Sequence, residues 1–264
     1  MSETSLVLAG RKCCVTGGGT GIGRGIALSL AAAGAEVGVT GRRLELLEET
    51  ADLIRSAGGK AHSCVMDITD ASSVAGGFAE LASAMDLAGQ LHLLVNNAGA
   101  GGPNECAIDG PDRWDAVIRT NLDGTYFCTR EALALMPDHS RIINISSVLG
   151  KFGVPGYTAY CASKHGVIGF TKALALELGA RQITANAICP GWVDTQMARD
   201  GIQGIADATG QTFDDAFDGA MSLVPLGRIL QPAEIGELVV YMASDAASGM
   251  TGQAVSLCGG STMG

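Results

Sequence analysis

Tyr160 and Lys164 stand four residues apart in a stretch with helical patterning, Tyr157 to Leu178. The phenol and the ammonium therefore share one helix face, one turn apart. An ammonium beside a phenol favours the phenolate and lowers a pKa that is otherwise about 10. A tyrosine tuned in this way exchanges a proton with a carbonyl or alcohol oxygen near neutral pH. On spacing alone the pair could equally be a surface Tyr–Lys contact. Ser147 weighs against that reading. It closes an apolar strand, Arg141 to Ser146, at the expected edge of the same sheet, and its hydroxyl could hold a substrate oxygen. Asn121 lies inside a helical stretch, 112–135, and is followed by Leu122-Asp123-Gly124. Asn and Gly are poor helix-interior residues, so a local break with a functional use is expected there.

A second constellation is rich in glycine. Gly17, Gly18, Gly19, Gly21, Gly23 and Gly25 follow the apolar run Lys12 to Val15 and precede the helical pattern Ile26 to Ala31. Glycine reaches positive φ and lets a pyrophosphate come close, and a helix N-terminus offers free N–H groups with a partial positive charge. The spacing Gly17, Gly21, Gly23 is one residue wider than the common dinucleotide fingerprint. An ordinary tight turn is the alternative reading of this stretch alone.

The elements that must position these groups alternate along the chain. Strands are expected near 12–15, 35–40, 61–66, 91–95, 141–146, 183–189 and 254–257, and helices at 26–31, 44–57, 70–87, 112–135, 157–178 and 232–244. Such alternation implies parallel βαβ crossovers and an open sheet with helices on both faces. The fold class is therefore α/β, a Rossmann-type doubly wound domain with a seven-stranded parallel sheet. No linker or repeat divides it, so residues 1–264 are expected to form one domain, with a less regular substrate-loop segment at 194–230. Ligands sit beyond the carboxyl ends of the strands in such sheets. Arg42, Asp67, Asn96, Ser147 and Pro190-Gly191 all fall at those ends.

The set Thr16 to Gly23, Asn96-Asn97-Ala98-Gly99, Asn121, Ser147, Tyr160-x-x-x-Lys164 and Pro190-Gly191 resembles the short-chain dehydrogenase/reductase family, in order and over about residues 10 to 260. The resemblance implies Tyr160 as general acid/base, with Lys164 lowering its pKa and holding the nicotinamide ribose. It implies that Ser147 orients and polarises the carbonyl and that Asn121 anchors a water in a proton relay behind Lys164. Gly17, Gly21 and Gly23 become cofactor residues, together with Thr20, Ile22, Arg42, Asp67, Ile68, Asn96, Gly99, Tyr160, Lys164, Pro190, Gly191, Val193 and Thr195. Asp67 resembles the residue that meets the adenine amino group. The family is usually tetrameric, so a homotetramer is expected, built on the helix of Tyr160 and on the C-terminal helix and strand.

Enzymes that use NAD usually carry an acid at the end of the second strand. Here Gly41 takes that place and Arg42-Arg43 follow, which suits a 2′-phosphate and favours NADP(H). The alternative is NAD(H) with Arg42 stacked on adenine. Segments 150–172, 224–228, 231–234 and the ending Cys258-Gly259-Gly260 are similar to bacterial polyketide ketoreductases and the related 3-oxoacyl reductases. The expected activity is ketone–alcohol interconversion on a small-molecule carbonyl or alcohol. The alternatives are an NAD-dependent secondary-alcohol dehydrogenase and a cofactor-sensing regulator. A regulator would have lost Tyr160, Lys164 or Ser147, and all three are present. Carrier proteins are acidic, so a reductase docking one should be basic near its pocket. Segment 194–230 instead carries Asp200, Asp207, Asp214, Asp215 and Asp218 against Arg199 and Arg228, which leaves a free ketone or a CoA ester open. Trp192, Met197, Phe213, Phe217 and Met221 are expected either to line a pocket or to pack two short lid helices.

The formal net charge of −10 argues against a general binder of nucleic acid or anionic membranes. A charged fraction of only 17% suits a chain that hides surface in an oligomer. The cysteines form no C-x-x-C pair and mostly sit in apolar runs, as reduced, buried thiols of a cytoplasmic protein do. His62, His92, His139 and His165 are scattered, and no metal-ligand cluster stands out. No run approaches the roughly 20 apolar residues of a membrane helix.

Overall fold

The computed structural model describes residues 6–107 and 109–263. Seven strands, β1 Lys12–Thr16, β2 Glu36–Gly41, β3 Lys60–Val65, β4 Leu91–Asn96, β5 Arg141–Ile145, β6 Thr184–Pro190 and β7 Ala254–Leu257, form one sheet in the order β3-β2-β1-β4-β5-β6-β7. Every pairing is parallel, with Thr16 beside Thr40, Val15 beside Val95 and Asn96 beside Asn144. This register brings Thr16, Gly41, Asn96, Ile145 and Pro190 to one edge. The strand order reverses between β1 and β4, which opens a crevice at that edge.

Helices cover both faces. On one side lie α1 Gly21–Ala32, α2 Leu44–Ser56 and α9 Pro232–Ala243, whose Ile26, Leu30, Leu47, Ile54, Ile235 and Val239 are buried against Val15, Val37 and Val39. On the other, α3 Ala71–Ala84, α5 Gly124–Leu133 and α6 Thr158–Leu178 bury Phe78, Leu81, Cys128, Leu174 and Leu178 against Leu94 and Ile142. Burial on both faces explains why the strands read as continuous apolar runs rather than alternating ones. Each fully buried Leu or Ile adds about 1.5–3 kcal/mol.

The helical stretch 112–135 is broken at Asn121, as its Asn and Gly predict: α4 Trp114–Ile118 runs into a single π-turn, Arg119–Asp123, before α5 resumes at Gly124. The structure departs from expectation in one segment. Segment 194–230 is more regular than expected. It forms α7 Gln196–Thr209, capped by the Thr195 hydroxyl on Ala198 N–H at 3.2 Å, and α8 Phe213–Ser222, capped by the Thr212 hydroxyl on Asp215 N–H at 3.2 Å. Trp192, Phe213 and Phe217 pack with Ile202, Ala206 and Ala216 into a small core between these helices, and Met221 is buried beside Val224. Packing thus accounts for four of the five large side chains. Among the described residues no helix is long and apolar enough to cross a membrane.

Candidate active site

Ser147, two residues past the end of β5, has extended backbone and opens a short 3₁₀ turn, Val148–Gly150. Its Oγ accepts Leu149 N–H at 3.1 Å, so the serine is held in place while its own proton stays available to donate. That hydroxyl is hydrogen-bonded to Tyr160. Lys164 lies one turn further along α6, and its Nζ donates to the Ile145 carbonyl at 2.8 Å and sits 5.6 Å from the centroid of the Tyr160 ring. The end of β5 and one face of α6 thus bring together the three side chains that the spacing singled out.

Electrostatics differ from the expectation for the pair. Desolvation pushes the Tyr160 phenol up to about 12, with the Ser147 hydrogen bond opposing it. Burial also brings the Lys164 ammonium down to about 8. The ammonium is spent on the Ile145 carbonyl, and in this state the phenol keeps its proton at neutral pH.

Asn121 sits in the π-turn and is buried. Its Oδ1 accepts Ala100 N–H at 2.7 Å, and its Nδ2 donates to the Ala100 carbonyl at 2.9 Å and to Ser163 Oγ at 3.0 Å. Ser163 Oγ in turn donates to the Tyr160 carbonyl at 2.8 Å. The side chain therefore clamps the loop after β4 to the turn that carries Tyr160. Only its backbone carbonyl, which already accepts the Thr125 hydroxyl at 2.7 Å, remains to hold a relay water.

The glycine loop lies between the ends of β1 and β4. Gly17 has φ +67°, and a Cβ there would lie 2.9 Å from Ala98 Cα, while one on Gly23 would lie 2.2 Å from the Gly17 carbonyl oxygen. No side chain fits at either point. The loop is held by a residue of the Asn96-Asn97-Ala98-Gly99 motif that was not among the expected site residues: Asn97 Nδ2 donates to the Thr16 carbonyl at 2.9 Å and the Gly17 carbonyl at 3.3 Å. Thr16 Oγ1 answers by accepting Asn97 N–H and Ala98 N–H, each at 3.0 Å. The alternation of β4 could have revealed Asn97, since it must face away from the buried Asn96. The first turn of α1 has no side-chain cap, because Thr20 makes no capping hydrogen bond. Its amide N–H groups are thus left for a phosphate. This cradle fits a dinucleotide pyrophosphate.

The other expected cofactor residues take several positions. Arg42, just past β2, is exposed, and among the described residues its guanidinium has neither a hydrogen bond nor an ion pair. Asp67 Oδ1 accepts the Thr69 N–H and hydroxyl at 3.0 and 2.9 Å, which hold the carboxyl below its usual range, with the charge of Arg42 adding to the effect. Ile68 is buried. Asn96 turns its side chain inward, donating to Thr129 Oγ1 at 3.0 Å and Asn144 Oδ1 at 2.8 Å, so only its backbone can face a cofactor. Gly99 lies beside Lys164, since a Cβ on it would be 3.6 Å from Nζ. Thr195, which caps α7, approaches Gly21, and Val193 bridges to Leu230 beyond Pro190 and Gly191. A Cβ on Gly101 would lie 3.5 Å from Met197 Sδ and 3.8 Å from Tyr160 Cδ2, so Met197 borders the mouth of the site. His165 binds the Cys161 carbonyl of its own helix at 2.9 Å. Among the described residues no group of three His, Cys, Asp or Glu is arranged to hold a metal ion.

A family model described as "Enoyl-(Acyl carrier protein) reductase" matches residues 17–262. The chain belongs to the short-chain dehydrogenase/reductase family. This oxidoreductase is 41% identical over 254 residues to a Streptomyces virginiae protein named "Monensin polyketide synthase putative ketoacyl reductase", covering 95% of this chain and 96% of the relative. It is 37% identical over 258 residues to the 3-oxoacyl-(acyl-carrier-protein) reductase of Pseudomonas aeruginosa, covering 97% and 99% of the two chains. A crystal structure of a variant of actinorhodin polyketide ketoreductase with NADPH superposes with a TM-score of 0.88 at 37% identity, over 95% and 96% of the two chains. Members of the family bind NAD(P)H, and this short-chain dehydrogenase/reductase groups with ketoreductases and 3-oxoacyl reductases.

Proposed function

We propose that this protein is an NADP(H)-dependent ketoreductase that reduces a ketone to a secondary alcohol with Tyr160 as the proton donor. The observation that carries this reading is the joined Ser147–Tyr160–Lys164 arrangement, in which burial holds the phenol protonated at neutral pH. A protonated phenol is ready to give a proton to a carbonyl oxygen, which is the reductive direction. Similarity to ketoacyl and 3-oxoacyl reductases supports the same direction.

The residues divide the work. The glycine loop and the first turn of α1 would hold the pyrophosphate, Asp67 and Ile68 the adenine side, and Arg42 a 2′-phosphate. When bound, the nicotinamide supplies the hydride. Ser147 donates a hydrogen bond to the carbonyl oxygen and polarises it. Tyr160 passes its phenolic proton to the oxygen as negative charge develops there. Lys164, positively charged below about pH 8, stabilises the phenolate that remains. Asn121 keeps the loop at Ala100 and the turn at Ser163 in register with that chemistry. Helices α7 and α8 form the substrate-side lid, and we place the protein among homotetramers that act on small-molecule substrates.

Assaying NADPH oxidation at 340 nm with β-ketoesters, diketones and aryl ketones tests the reading, run beside NAD⁺ with secondary alcohols. Reduction faster with NADPH than with NADH is the expected result. Alcohol oxidation with NAD⁺ alone would identify the dehydrogenase instead. Cofactor binding with no turnover in either direction would identify a sensor.

A further inference from the structure

Apart from Arg42, Arg43, Arg113 and Arg130, every arginine side chain is tied down by a carboxylate or a carbonyl. Among the described residues four guanidinium groups are thus left without such a partner in a chain of net charge −10, and where they stand is informative. Arg42 and Arg43 follow the end of β2 at the cofactor edge. Arg113 follows the loop from the end of β4 and immediately precedes α4, so the loop that leaves the same edge of the sheet carries it.

The loop places Arg113 with care. Asn104 is buried and joins three segments: its Oδ1 accepts Arg113 N–H at 2.8 Å, its N–H donates to the Gly156 carbonyl at 2.8 Å, and its carbonyl accepts the Thr158 hydroxyl at 3.0 Å. The segment that leads into Tyr160 is therefore fastened to the residue that carries the guanidinium. Gly102 has φ +118°, and a Cβ there would lie 2.3 Å from Arg113 Nη1, so the arginine lies across a bare stretch of backbone. The neighbouring Gly101 faces the Tyr160 ring, with a Cβ there 3.8 Å from Cδ2. Two adjacent glycines thus separate the guanidinium from the Tyr160 ring by no more than about 13 Å along this path. Carboxylates close in sequence leave it alone: Asp112 caps Trp114 N–H at 3.0 Å, and none pairs with Arg113.

We propose that Arg113 is a specificity-determining residue that receives an anionic group, carboxylate or phosphate, on the tail of the ketone substrate. The inference deepens the ketoreductase reading and rests on it. A planar guanidinium without a competing partner binds either oxyanion through paired, charge-assisted hydrogen bonds. It supplies the local positive charge that the acidic segment 194–230 lacks.

Two pairs of ketones that differ in charge test this. One pair is 5-oxohexanoate and its methyl ester; the other is acetoacetyl-CoA and the acetoacetyl thioester of N-acetylcysteamine. The ratio of kcat/KM, anionic over neutral, is measured for the wild type, Arg113→Gln and Arg113→Lys. Arg113→Gln should lower the ratio by about ten- to a hundredfold in at least one pair, through KM, and Arg113→Lys should restore part of it. Loss in the first pair identifies a carboxylate and in the second a phosphate. An unchanged ratio in both pairs overturns the proposal. If the wild type reduces none of the four, the ketoreductase reading fails separately, and quenching of the half-exposed Trp114 by CoA and by 5-oxohexanoate then decides. Quenching that Arg113→Gln abolishes upholds the anion site, and no difference between the two proteins refutes it.

Discussion

Burial acts on Tyr160 and Lys164 in opposite senses. It raises the phenol to about 12 and lowers the ammonium to about 8, because both charged forms lose water. The sign for catalysis follows directly. Between pH 6 and 7 both groups hold their protons, so the reductive kcat should be level. Above about 8 Lys164 loses its charge while Tyr160 stays protonated, so kcat should fall as pH rises toward 9. A kcat–pH profile that climbs through pH 8 would contradict this assignment. Arg42 makes the second residue-scale prediction. Among the described residues its guanidinium makes no hydrogen bond or ion pair, so Arg42→Asp should cut the NADPH-to-NADH ratio of kcat/KM by at least about tenfold. An unchanged ratio would remove Arg42 from the 2′-phosphate site.

Among the elements, the π-turn at 119–123 sets the site most tightly. It turns Asn121 out of the α-helical register so that one side chain reaches both Ala100 and Ser163. Asn121→Ala leaves Ala100 N–H without its acceptor and removes the donor to the Ala100 carbonyl and Ser163 Oγ, at about 1–3 kcal/mol of stability. Thermal unfolding should drop accordingly and kcat should fall tenfold or more, with NADPH affinity changing far less. Equal losses of kcat and NADPH affinity would show the clamp to be general rather than specific to the Tyr160 side. The break at Asn121 could be read from the sequence because Asn and Gly are misplaced in a helix. So could the strand ends, because continuous apolar runs stop at Thr16, Asn96 and Ile145. The clamps could not. Asn104 looks like an ordinary loop residue, and the motif that contains Asn97 does not show what it clamps, until tertiary contact supplies their partners. The helices α7 and α8 were legible only as one of two alternatives, because their Gly and Asp content reads as loop and their aromatic residues fit a pocket as well as a packed pair. The phenol's upward shift was invisible as well, since spacing shows which charge is near but not how much water is lost.

For the molecule as a whole, a parallel sheet that reverses its order between β1 and β4 puts the pyrophosphate cradle and the proton donor on one rim. Arg42 and Arg113 then flank that rim as free cations in an acidic chain. Exposed Leu176 on α6 and Tyr241 on α9 fit the proposed tetramer, built on the helix of Tyr160 and the C-terminal helix. Light scattering should return four times the chain mass of 26.8 kDa, and a monomer at micromolar concentration would refute it. The central claim is that Tyr160 gives the proton in an NADPH-dependent ketone reduction. The most direct measurement is NADPH oxidation at 340 nm by wild type and Tyr160→Phe on one ketone that the wild type reduces, with NADPH binding titrated in both. The expected result is a loss of kcat of at least about a hundredfold with NADPH affinity kept. Near-full turnover by Tyr160→Phe would contradict the account.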